Sequence, residues 1–176
     1  MTIGKYASFA LAALLLAGCG SSAREQQAAS YCPQPLTVQD AQRLTRFKEG
    51  PGRDPRDVMF EASLVSAGTK CQISRNKLEV EVLLRIAVNA GPSVGTGVTR
   101  VPFFVRVLDG NGAVVQGSDQ LADYKISAAS PRGLSQEEMA VTLPFANVSD
   151  LGGYRIAVGL KPSQQELDYN RSSGVR

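Results

Sequence analysis

Between Leu78 and Val88 the chain alternates with a period of two. Leu78, Val80, Val82, Leu84, Ile86 and Val88 fall on one side, and Glu79, Glu81, Leu83, Arg85 and Ala87 on the other. Successive side chains of a strand point to opposite faces, so this pattern commits the segment to a half-buried strand and not to a helix, whose apolar positions recur every three to four residues. The same alternation appears in Val58, Phe60, Ala62 and Leu64, and again in Val101, Phe103, Val105 and Val107. Asp109-Gly110-Asn111-Gly112 is the sharpest turn signal, because Asp and Asn before Gly suit the positive backbone angles of hairpin turns. It predicts a hairpin from a strand ending at Leu108 to one starting at Ala113.

Further strands are expected over Leu121–Ser127, around Met139, Val141, Leu143 and Phe145, and around Tyr154, Ile156, Val158 and Leu160. Val38–Phe47 fits an extended segment or a helical face carrying Leu44 and Phe47. Cys71 is expected in a connection or at the start of the next strand. About seven short strands with turn signals between them predict an all-β fold, an immunoglobulin-like β-sandwich first and a barrel second. The absence of Trp weighs against a true antibody domain. Ser163-Gln164-Gln165-Glu166 has capping-box spacing, in which a serine side chain and a glutamate satisfy each other's exposed amides, so one short C-terminal helix is expected to about Tyr169.

The amino terminus reads differently. Lys5 is followed by an uncharged, apolar or small run from Tyr6 to Ala17 that closes on Leu16-Ala17-Gly18-Cys19. That is a signal-peptide layout, too short for a span of about 20 apolar residues. Its end resembles a bacterial lipobox, which implies acylation of Cys19 and cleavage before it. Residues 1–18 are then a signal peptide, 19–30 a lipidated flexible spacer, 31–171 the sandwich and 172–176 a disordered tail. Gly20 stands where an aspartate would retain such a protein in the inner membrane, so the expected place is the outer membrane, facing the periplasm. The expected partner there is the lipid bilayer, reached through the acyl chains on Cys19.

Of three cysteines, Cys32 and Cys71 remain once Cys19 is assigned to lipid. In an oxidising envelope they are expected to be bridged, the alternative being two separate buried thiols. Without the signal peptide, 18 basic and 16 acidic residues leave a net charge of +2, and the basic residues are interspersed with acids as in Arg53-Asp54-Pro55-Arg56-Asp57. No nucleic-acid surface is indicated.

There is no histidine, which removes the commonest general base and metal ligand. Asp54 and Asp57 are the best local carboxylate pair, and the neighbouring Arg53 and Arg56 favour an ion-paired loop over a calcium site. Gly91–Gly97 lacks the Lys-Ser or Lys-Thr ending of a phosphate loop, and no cofactor or metal is expected. Phe103-Phe104 places one ring on each face of its strand.

Leu44-Thr45-Arg46-Phe47, Gly52-Arg53-Asp54-Pro55-Arg56-Asp57-Val58, Cys32-Pro33, Cys71 and Leu167-Asp168-Tyr169-Asn170-Arg171 together resemble a family of alphaproteobacterial envelope lipoproteins without an assigned activity. The likeness covers most of Cys32–Arg171 and departs at Arg132–Gln136. It implies the anchor, the disulfide and the sandwich, and carries over no catalytic residue. The expected function is that of a non-enzymatic structural or protein-interaction module in the cell envelope. Its candidate contact residues are Arg53, Asp54, Arg56, Asp57, Tyr169 and Arg171, together with exposed strand edges. The alternative is a lipoprotein that binds a small molecule, glycan or metal ion.

Overall fold

The alternating segment at Leu78–Val88 lies inside a long strand in the middle of a sheet. A computed structural model of the protein describes residues 23–50 and 53–172. Along the chain these form α1 (Ala23–Tyr31), β1 (Pro35–Thr37), a 3-10 turn (Gln39–Ala41), β2 (Arg43–Phe47) and a second 3-10 turn (Pro55–Asp57). There follow β3 (Val58–Ser74), β4 (Lys77–Ala90), β5 (Thr99–Leu108), β6 (Val114–Tyr124), β7 (Arg132–Pro144), a third 3-10 turn (Val148–Gly153), β8 (Arg155–Leu160) and α2 (Gln164–Ser172).

Eight strands, one more than the periodicity suggested, form two four-stranded sheets in the orders β1-β8-β5-β6 and β2-β3-β4-β7. The strands expected from Ala113 and over Leu121–Ser127 are one strand, β6, up to Tyr124. The additions are β2, from the segment left open between an extended and a helical form, and β1, which pairs in parallel with β8 over three residues. Every other pairing is antiparallel. The alternating apolar faces meet in one core, where the six even-numbered residues of Leu78–Val88 are at most 1% exposed and Val101, Phe103, Val105 and Val107 face them from β5. The all-β sandwich is therefore the fold. An antibody constant domain sets strands 1, 2, 5 and 4 against 3, 6 and 7, so what this chain shares with that class is the two-layer antiparallel plan.

β3 runs on well past the point where its alternation stops, and a bulge explains why. Leu64 pairs with Ile86 and Ser66 with Arg85, which leaves Val65 as an extra residue, exposed to solvent. An inserted residue reverses the parity of everything after it. The inward positions change from Phe60, Ala62 and Leu64 to Ala67, Thr69, Cys71 and Ile73, opposite the inward Leu84, Val82, Val80 and Leu78. Cys71 is thus inside a strand and faces inward, where the sequence suggested a connection or a strand start.

The expected flexible spacer also changes. Over Ala23–Tyr31 it is helical, with Ala28 fully buried in the core cluster. The segment has no large apolar side chain before Tyr31, and a helix this short is not stable by propensity alone. Tertiary contact supplies what propensity lacks. Ala28 is small enough to let the helix approach the sandwich, and the next residue after the helix, Cys32, is bonded to Cys71 of β3 with the two Cα atoms 5.6 Å apart. Residues 19–22 lie outside the described residues, as do 173–176 of the expected tail, while Ser172 is the last residue of α2.

Between β5 and β6 the hairpin forms where Asp109-Gly110-Asn111-Gly112 predicted it. The Asp109 carboxylate accepts from the amides of Asn111 and Ala113, both at 2.9 Å, and Gly112 takes φ +81°. β6 then runs as one strand from Val114, taking in the start of the strand expected over Leu121–Ser127. Gly91, just past β4, is required for a different reason. A Cβ there would stand 2.2 Å from the carbonyl oxygen of Val58, which accepts the Ser93 amide, while the Gly91 amide donates to Met59. The obstacle is backbone held by its own hydrogen bonds, so it cannot swing aside. Gly91→Ala is expected to cost about 2–3 kcal/mol, the upper part of the overpacking range, read as a lower urea midpoint with an unchanged slope.

Candidate functional site

A two-sheet sandwich has two lateral sides, each bordered by the edge strands of both sheets, and in this protein the two are treated differently. On one side the edges are β1 and β2. α2 lies against β2, and its docking is built from the residues that the capping box and the Leu167–Arg171 segment supply. Glu166 accepts the Ser163 amide at 2.7 Å and is also ion-paired to Arg46 of β2, so this buried carboxylate is fully engaged. Asn170 donates to the Arg43 carbonyl at 3.0 Å, and the Tyr169 ring meets Phe47 edge-on at 4.8 Å. Arg171 grips Asp40 of the first 3-10 turn at 2.8 and 3.1 Å, which raises its pKa above the ordinary arginine value. Ala41 of the same turn packs on Gly159 of β8, where a Cβ would come within 2.6 Å of it. This side is closed.

Of the six residues singled out from the sequence as contact candidates, Arg53, Tyr169 and Arg171 are fastenings of that closure, and Asp54, Arg56 and Asp57 are paired within or beside their own loop. Arg53 lies 5.3 Å over the Phe47 ring and donates to Gln165 of α2, so the structure brings Arg53 and Tyr169 together on Phe47. Asp54 accepts from the amide of Arg56 at 2.8 Å and from its guanidinium at 2.9 and 3.1 Å, and the Arg56 side chain followed by its amide holds the carboxyl below the ordinary aspartate range. Asp57 pairs with Lys48 at 2.7 Å. The ion-paired reading of Arg53–Asp57 holds, with Asp54 and Asp57 served by separate cations. Arg171 lies further along α2 at Asp40, so the six do not form one patch.

On the opposite side the edges are β6 and β7, and no helix among the described residues covers them. The inward residues of the neighbouring β5 and β4 are apolar, but the inward row of β6, opposite Val107, Val105 and Phe103, is Gln116, Ser118 and Gln120. The inward row of β7, opposite Ile86, Leu84 and Val82, is Ser135, Glu137 and Met139. Two rows, polar apart from Met139, thus confront each other across a cleft of about 470 Å³ floored by Phe103. At one end Tyr124 crosses over Gly133, donating to the Ile86 carbonyl at 3.1 Å and sharing a hydrogen bond with Ser135. Burial raises the pKa of this phenol, the Ser135 contact opposes the shift, and the Glu137 charge adds to it. Beyond Tyr124 the cleft is open.

On the outer face of β6, Asp119 is held by Lys161 first and Arg106 second, which together place its carboxyl below the ordinary range. Arg106 also lies 5.3 Å over Phe104 and donates to the Ser118 carbonyl at 2.8 Å. Phe104 is thus the half-buried outer ring and Phe103 the buried inner one.

Sequence reading missed this side because Val114–Tyr124 does not alternate. Its first eight residues are exposed or half-buried on both faces, and without an apolar stripe the strand carries no period. The available signal was inverse, namely glutamines and serines at every second position of a strand.

Cys19 lies outside the described residues. Among the described residues no helix is long and apolar enough to cross a membrane, and no group of three His, Cys, Asp or Glu side chains is placed to hold a metal ion. Compared with protein-family models, with curated proteins and with solved structures, the chain finds no match in any of the three.

Proposed function

We propose that the protein is a bacterial envelope lipoprotein, acylated at Cys19 and held at the periplasmic face of the outer membrane, whose sandwich is a non-enzymatic protein-interaction module. The contrast between the two lateral sides supports this most. The chain commits a helix, a 3-10 turn and a half-buried ion pair to closing β1 and β2, and among the described residues leaves the outer edges of β6 and β7 without a neighbouring strand beside a polar cleft. Exposed edges invite pairing, and proteins usually cover or shorten them. Strands of 11 and 13 residues left open are suited to a partner. The Cys32–Cys71 bridge is in keeping with an oxidising compartment.

Anchoring is tested by mass spectrometry of the Cys19 peptide from membranes. The expected result is a diacylglyceryl-modified amino-terminal cysteine, with Cys19→Ser protein moving to the soluble fraction. An unmodified thiol on protein recovered from cytosol overturns the reading. A second reading, a small polar ligand, draws on the same cleft. A sugar or amino acid that raises the melting temperature in proportion to the logarithm of its concentration would favour it.

A further inference from the structure

Resting on the interaction-module reading, we infer that the open side takes an extended peptide of a second protein, which adds as a strand to β7 and presents lysine or arginine to Glu137. The edge geometry comes first. In an antiparallel sheet every second residue of an edge strand turns its amide and carbonyl outward, and β7 borders the cleft along that edge. β7 is favoured over β6 by its charge, since Glu137 and Glu138 lie on it while Asp119 of β6 is already paired with Lys161 and Arg106. A strand laid beside β7 extends its sheet, and the added strand's inward side chains fall beside Ser135, Glu137 and Met139 and across from Gln116, Ser118 and Gln120.

That environment selects the side chains. A wholly apolar strand would bury its face against amides, a hydroxyl and a carboxylate without giving them hydrogen bonds, which is unfavourable. Glu137 is half-buried, and among the described residues it has no cation within ion-pair distance. Its neighbour Glu138, on the outer face, adds a second negative charge to the same edge. Opposite charges directly across a strand pair stabilise it and like charges oppose it. The fitting occupant therefore carries cationic or amide side chains at alternate, inward positions.

A second copy of this chain fits less well. Two β7 strands paired antiparallel about their midpoint would set the two Glu138 carboxylates against each other, a like-charge contact. Backbone bonding with alternate side-chain selection is the usual mode of strand addition to an exposed edge.

The test is selection of twelve-residue peptides from a random displayed library on the purified mature chain, followed by hydrogen exchange with the best binder. The expected result is enrichment of sequences with Lys or Arg at alternate positions, new amide protection in β7, and affinity roughly tenfold lower in Glu137→Lys, a loss of about 1.4 kcal/mol. Glu61→Lys, on the outward face of β3, serves as the control that leaves affinity unchanged. No enrichment, enrichment without basic residues, protection away from β7, or equal binding by Glu137→Lys overturns the inference. The interaction-module reading fails separately: it falls if crosslinkers placed on β6, β7 and α2 in cells trap no protein at all.

Discussion

Replacing Cys32 and Cys71 together by serine lowers the unfolding free energy by about 4 kcal/mol. The two residues are 39 apart in sequence, and a covalent link over a loop of that length removes about this much conformational freedom from the unfolded chain in the chain-entropy account. The native structure adds to the effect. α1 has one fully buried residue, Ala28, and is fastened to β3 immediately after its last turn, so without the bond the helix loses its fixed end. Domains of this size have total stabilities of about 5–15 kcal/mol, so the bond supplies about a quarter or more of the total. Urea denaturation of the wild type with and without reductant should reproduce the difference seen between wild type and variant. Hydrogen exchange should show α1 opening first. A loss below about 1 kcal/mol would mean that the bond decorates a fold already fixed without it.

The second large effect is expected at Phe103. Its ring is 2% exposed, it pairs across the sheet with Leu160 and Gln120, and it is the last large apolar side chain before the polar row of β6. Phe103→Ala removes that ring from the core, at a cost of about 4 kcal/mol in the range for large-to-small aromatic changes. Phe104→Ala is the informative comparison. That ring is half-buried on the other face beneath Arg106, and its loss is expected to cost about 1–2 kcal/mol through partial exposure and one cation–π contact. Thermal denaturation of the two single variants separates them, and equal losses would contradict the assignment of inner and outer faces.

How much of this was legible in the sequence depends on whether a local pattern carried it. β4 and β5 were readable because each buries one face continuously, and α2 because Ser163 and Glu166 form a local exchange of hydrogen bonds. The second half of β3 was not, since Val65 shifts the phase of the alternation. β1 is three residues long and is specified by its parallel neighbour β8. α1 is held by a buried alanine and a distant sulfur, neither of which alters the helical periodicity of Ala23–Tyr31.

The candidate contacts show the same limit from the other direction. Arginines, aspartates and a tyrosine near Arg53–Asp57 and Tyr169–Arg171 have the composition of a binding surface. The sequence cannot show that Phe47, Lys48, Asp40 and Gln165 are the partners they reach. The polar cleft was hidden because its residues come from two strands separated in sequence, whose inward positions are defined only once both sheets are assembled.

If the protein is anchored at Cys19 as proposed, the early start of α1 limits how far the folded body can travel. With acyl groups on Cys19, only four backbone steps separate the lipid from Ala23, where the helix begins, and at full stretch these reach about 14 Å. A spacer of twelve free residues would have allowed the sandwich to roam. With that anchor in place, a docked helix would instead moor it close to the headgroups, and a strand meeting β7 would have to come down to the bilayer surface.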